Sequence, residues 1–217
     1  MTMPSPAREV RSFRHTPIVR VLGSFASWFL FALCMTLLVQ GFFGLMAIGG
    51  SCASGGPYSI ETECPEAVAI FMPLSIFGGL ASVAIALIFA QGFGTSLLDV
   101  AWPILFGSLG AGFLTAFFAT GDAVGLIIGL MFEIMAVIPL ILALRVSVQR
   151  VFLGAINVRG TRFYEGEVER FSIIGMRYLR GSETVRPTFA DWAFSLIILI
   201  AAVALGYYAA MAAYASV

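Results

Sequence analysis

Five long apolar runs decide the architecture of this chain before any other feature is weighed. They cover residues 21–48, 67–90, 102–119, 123–144 and 192–213. A helix crosses a hydrocarbon core of about 30 Å with about 20 apolar residues, and it is favoured there because it satisfies its own backbone polar groups. Turn chemistry separates the runs: Gly49-Gly50 and Gly55-Gly56-Pro57, then Gly92 and Gly94, then Gly121-Asp122. Charged residues make up 11% of the chain, against about 25% in a soluble domain. A soluble globular protein is excluded. The expected fold class is all-α, a polytopic membrane bundle of five transmembrane helices.

The arginines thread the bundle. All 12 bases are arginine, a composition that fits a GC-rich genome, and the 12 acids balance them to zero net charge. That balance gives no reason to expect a nucleic-acid partner. Arg8, Arg11, Arg14 and Arg20 precede the first run, and the other eight lie between the fourth and fifth, from Arg145 to Arg186. The positive-inside rule then places the N-terminus in the cytoplasm and the C-terminus outside. The expected organisation is a cytoplasmic tail over 1–20, four helices over 21–145 with an outer loop at 49–66, a cytoplasmic or interfacial segment at 146–190, and a fifth helix at 191–217. The first run is too long for a cleaved signal peptide. Cys52 also lacks the leucine that a lipoprotein cleavage box requires.

Cys52 and Cys64 share the outer loop. On an oxidising face, with no histidine to act as co-ligand, they read as a disulfide rather than a metal site. Cys34, inside the first run, reads as a small apolar packing residue. The run Gly49-Gly50-Ser51-Cys52-Ala53-Ser54-Gly55-Gly56-Pro57-Tyr58, followed by Cys64-Pro65, resembles the outer loop of small uncharacterised multi-pass membrane proteins of GC-rich actinobacteria. The resemblance covers about 20 residues plus the general layout. It implies a bacterial plasma membrane and no particular activity.

Small residues mark the faces where membrane helices pack. Gly78, Ser82, Ala86 and Ala90 recur every four residues in the second run, and Gly125 and Gly129 in the fourth. The fifth carries Ala202, Gly206 and Ala210. The third has two adjacent stripes, Gly107, Ala111 and Thr115 beside Ser108, Gly112 and Ala116, and is expected to meet two neighbours. Trp102 and Trp192 at one end, and Tyr207, Tyr208 and Tyr214 at the other, read as belt residues. Pro103 reads as a first-turn proline, whereas Pro73 and Pro139 lie inside their helices.

An ionisable group at bilayer depth is a functional-site hypothesis, and Glu133 is the clear case. It shares a helical stripe with Asp122, Gly125 and Gly129, which directs it at protein. Three readings stay open: a protonatable carboxylate in a proton or cation path, a neutral acid bonded to a neighbouring helix through Gln40, Thr115 or Ser82, and a contact with another subunit. Gln40 reads as inter-helix glue or, less simply, a ligand group. Asp99, Asp122 and Asp191 read as helix-start carboxylates, the last with Thr188 in a capping arrangement. Glu61, Glu63 and Glu66 make the outer loop acidic, either solvated or attracting cations to a pore mouth.

Between the fourth and fifth runs, Val168, Phe171, Ile174 and Tyr178 recur at helical spacing among charged residues. The expectation is a short amphipathic helix at the inner interface, touching lipid or a protein partner. Residues 146–158 are read as a continuation of the fourth helix.

His15 is the only histidine, and no CxxC, Walker loop or GxSxG is present. Histidine-rich metal sites and a Ser-His-Asp triad are thereby excluded for this chain alone, and no cofactor is implied. Gly92-Phe93-Gly94 starts a glycine pattern that Leu97 breaks. The expected function is non-enzymatic: an integral membrane protein acting by association, as an accessory subunit of a larger membrane complex or as a homo-oligomer, its partners membrane lipid and other membrane protein subunits or itself. The alternative is a small oligomeric proton or cation channel or transporter that uses Glu133.

Overall fold

The computed structural model describes residues 17–49, 52–53, 62–90, 93–121, 123–146, 148–153, 167–172, 175–180 and 189–217. Five of its helices are long and apolar enough to span a membrane, starting or ending within a few residues of the apolar runs. They are α1 (Pro17–Ala47), α2 (Glu66–Ile85, ending in a π-helical turn at Ala86–Ala90), α3 (Leu97–Thr120), α4 (Ala123–Val146) and, after a short α5 (Val148–Leu153), α6 (Phe189–Ala215). Among the described residues the chain is a multi-pass helical membrane protein, and its alternating helices define two ends. One carries Arg20 and the other the Cys52–Cys64 disulfide.

Two groups of helices pack chiefly within themselves and meet where the start of α3, at Leu97, enters the core around α1. In the first, α1 is central and lies between α2 and α6. Its core is Trp28, Phe31, Leu97 and Ala202 toward the Arg20 end, and Leu37, Phe71 and Ala210 toward the disulfide end. Small residues let these helices approach: Gly78 faces Cys34, and a Cβ on Gly206 would stand 2.5 Å from the Phe29 carbonyl oxygen. Cys34 is buried under α2, as expected of a packing residue. Tyr207 and Tyr208 are exposed as a belt requires, but Tyr214 instead packs on Phe71.

The second group is the α3–α4 hairpin, turned at Gly121 with φ +74°, a left-handed conformation natural to glycine. Gly125 and Gly129 of α4 face Phe113, Leu114 and Phe117 of α3, while Gly107 faces Ala136. α3 meets its second expected neighbour at Gly112, which sits against the Phe42 ring of α1. Because α3 begins at Leu97, five residues before the expected start, Pro103 lies inside the helix and not in its first turn. The Asp99 carbonyl four residues earlier thereby loses its usual helical donor. Asp99 does lie in the first turn, and the N-cap Ser96 makes no side-chain cap bond. Asp191 lies in the first turn of α6; Asp122 and Thr188 lie outside the described residues.

Beyond Val146, Ser147 lies outside the described residues and the chain is helical again over α5, as the expected continuation has it; α5 lies against the loop before α3 and the start of α6, and residues 154–158 lie outside the described residues. One expectation between α4 and α6 is corrected. The expected amphipathic helix is a β-hairpin, β1 (Glu167–Ser172) paired antiparallel with β2 (Gly175–Arg180). Its register sets Val168 opposite Leu179 and Phe171 opposite Met176, so apolar positions meet across the ladder. The helical spacing was misleading because short mixed runs match both periods. Ile174 lies outside the described residues.

Candidate functional site

Two places concentrate polar groups inside the apolar frame. The first is a junction at the Arg20 end, built by α1, the π-helical turn, the 93–96 loop, α5 and α6. Arg20 is 1% exposed and its Nε donates to the Ala90 carbonyl, the last of the π-helical turn, at 3.4 Å. The sequence assigned this arginine to topology alone; its burial makes it a strut between α1 and α2. Gly23, three residues on, is where the two backbones meet, since a Cβ there would lie 2.8 Å from the Ala90 nitrogen.

Gly94 is the hub. Its φ of +68° favours glycine, and a Cβ would stand 3.2 Å from Ser24 Oγ of α1 and 3.6 Å from Ser195 Oγ of α6. Around it, hydroxyl and indole donors satisfy carbonyls that helix ends leave open. Trp28 Nε1 donates to the Thr95 carbonyl at 2.9 Å, and the Ser96 N–H to the Val151 carbonyl at 2.7 Å. Ser195 Oγ donates to the Phe152 carbonyl at 2.7 Å, and Thr95 Oγ1 to the same oxygen at 3.4 Å. Ring contacts Phe93–Phe194 and Phe152–Trp192 flank these bonds. The Thr95 and Ser195 hydroxyls are both spent on backbone, so the junction is a clamp. Ser24, Thr95 and Ser195 were not singled out in the sequence; Gly94, set aside with a glycine pattern that Leu97 breaks, was the signal for the turn that organises them.

The second place is Glu133, and it stands as its stripe predicted, against α3. A Cβ on Gly110 would lie 2.9 Å from Glu133 Oε1 and 3.1 Å from the Glu133 backbone nitrogen. None of the three expected partners reaches it. Ser82 Oγ donates to the Gly79 carbonyl and Thr115 Oγ1 to the Ala111 carbonyl, each within its own helix. Gln40 Nε2 faces Met211 Sδ at 3.7 Å, joining α1 to α6 as the glue reading holds. Hydroxyls inside a helix find a carbonyl three or four residues back more cheaply than a group on another helix. Among the described residues, Glu133 has no hydrogen-bond or ion-pair partner.

At the opposite end, the Cys52–Cys64 disulfide ties the exit of α1 to the entry of α2. Ala53 and Glu63 bridge beside it, with the Cys64 N–H donating to the Ala53 carbonyl. Glu66 occupies the first turn of α2, where a carboxylate suits the helix dipole; Glu61 lies outside the described residues. The described residues hold no group of three or more His, Cys, Asp or Glu able to take a metal ion.

No protein-family model, curated protein or solved structure matches this chain.

Proposed function

We propose that this chain is a non-enzymatic integral membrane protein that acts by association, as an accessory subunit of a membrane complex or as a homo-oligomer. Glu133 carries the reading. A carboxyl at mid-span in a membrane is costly unless something pairs with it. Its three candidate partners within the chain are engaged elsewhere, so another subunit is the natural source. The α3–α4 hairpin, which touches the α1–α2–α6 group along a small part of its surface, offers room for one. The resemblance of the outer loop and the distribution of arginines support a bacterial plasma membrane, with the N-terminus in the cytoplasm and the C-terminus outside.

Purification from native membranes in mild detergent, with crosslinking before extraction, tests this. A complex or oligomer is expected, and a lone monomer with no crosslinked partner overturns the reading. The same partnerless carboxyl favours a second reading, an oligomeric proton or cation path through Glu133. Flux into proteoliposomes that is abolished by Glu133→Gln would establish it, and equal or absent flux in both proteins would remove it.

A further inference from the structure

We propose that the β1–β2 hairpin binds anionic lipid headgroups through the face on which its register pairs Arg170 with Arg177. This goes beyond the association reading and does not depend on it. Residues opposite each other in an antiparallel ladder share a face, and successive pairs alternate between the two faces. The register therefore sorts the charges of the hairpin. One face takes Val168 paired with Leu179 and, next along it, Arg170 paired with Arg177. Both acids of the ladder, Glu167 and Glu169, fall on the other face together with Arg180. The first face is thus basic and partly apolar, and it holds no acid.

Like charges directly opposite each other destabilise a ladder, so the Arg170–Arg177 pair costs the hairpin stability until an anion joins it. A two-stranded hairpin is also marginal by itself in water. Both facts call for a counter-surface that is negative beside the arginines and apolar beside Val168 and Leu179. A leaflet with anionic headgroups above its acyl chains has this character. Guanidinium groups suit phosphate in particular, because their planar fork donates two N–H bonds at once.

The fold keeps such a surface within reach. The hairpin lies in the chain between two membrane-spanning helices, α4 and α6, and β1 runs beside α6. Residues 181–188 alone separate β2 from that helix, which opens at Phe189, 88% exposed as suits the edge of a bilayer. The arginine face is therefore held close to headgroups by the spans themselves. Glu167 and Glu169, which an anionic leaflet repels, decide which of the two faces is applied to it.

The test uses the full chain in lipid nanodiscs, with amide hydrogen exchange read over residues 167–180. Exchange is expected to be about tenfold slower in discs of equal parts phosphatidylglycerol and phosphatidylcholine than in phosphatidylcholine alone, the scale that two arginines near an anionic surface set. High salt should erase the difference. Arg170→Gln combined with Arg177→Gln should abolish it, whereas Arg180→Gln, on the other face, should keep it. Equal exchange in the two lipid compositions overturns the proposal, and so does a slowing that the double variant shares. Inorganic phosphate that slows exchange equally in phosphatidylcholine discs overturns the lipid in favour of a soluble anion, and slowing confined to native membranes overturns it in favour of a protein partner. Removing the like-charge pair relieves the ladder, so the double variant should keep its hairpin; if it does not, the parent chain in the two lipid compositions, with and without inorganic phosphate, still decides. Association is read separately, by crosslinking and native mass, so either idea can fail while the other stands.

Discussion

Glu133 of α4 lies against the bare backbone of Gly110 of α3, its Oε1 within 2.9 Å of where a Cβ would stand. Glycines at such crossings have unequal space, and stability should follow it. At Gly206 a Cβ would sit 2.5 Å from the Phe29 carbonyl oxygen and 3.0 Å from Ala32 Cβ, so a backbone must move. Gly206→Ala should lose about 2–3 kcal/mol by overpacking. At Gly107 a Cβ would meet Ala136 at an ordinary 3.6 Å, and Gly107→Ala should be neutral or gain up to about 1 kcal/mol in helix propensity. Gly110→Ala should fall between them. Unfolding in detergent, read by helical signal, would show this order, and a Gly206→Ala protein as stable as Gly107→Ala would contradict it.

The Phe152 carbonyl accepts from both Ser195 and Thr95. Ser195→Ala removes the shorter bond and should lower stability by about 1–2 kcal/mol. Because both hydroxyls serve one oxygen, the pair should not be additive. With Ser195→Ala and Thr95→Val combined, the loss should exceed the sum of the single losses by about 0.5 kcal/mol or more. Simple additivity in the double-mutant cycle would show that Thr95 does not support this carbonyl.

Cys52 and Cys64 are 12 residues apart and bonded. Reduction should lower stability by about 2–3 kcal/mol through the entropy of the opened loop. Cys34, 3% exposed beneath α2, should stay unlabelled by a thiol reagent until the helices separate. Mass spectrometry after mild reduction and alkylation would find two modified cysteines; three under folding conditions would mean that α1 and α2 part readily.

The Phe152 and Trp192 rings are tilted by 40° with centroids 6.1 Å apart, so the end of α5 and the start of α6 lie side by side. Replacing residues 154–188 with a short Gly-Ser linker should therefore leave the unfolding of the five long helices within about 1 kcal/mol of the parent, since loop-closure entropy changes slowly with length. Loss of the folded bundle would show that the excised segment contributes to its core.

The spans were legible because the membrane imposes one periodicity-free signal, length of apolar run, and the small-residue stripes because close approach leaves few choices of side chain. Gly78, Gly107, Gly125, Gly129 and Gly206 all face a neighbouring helix. Partnership was not legible. Thr115 and Ser82 could reach Glu133 by composition, but each bonds within its own helix. The junction escaped because its members lie on five elements, and no local pattern records that Gly94 brings Ser24 and Ser195 together. The β-hairpin escaped because Val168 and Phe171 also fit a helical wheel.

The six residues of α5 hold a disproportionate position. Their Val151 carbonyl holds the loop before α3 and their Phe152 carbonyl holds both that loop and α6, while the direct seam between the groups, at Leu97 and Gly112 of α3, is small beside the contact within each. A protein so divided opens in steps, each group behaving as its own cooperative unit of hydrogen exchange, with Val151 and Leu153, both almost fully buried, at the coupling between them. Loosening that short helix would release α6 from the Phe152 carbonyl and leave the hairpin held to α1 by little more than Leu97 and the Gly112–Phe42 contact.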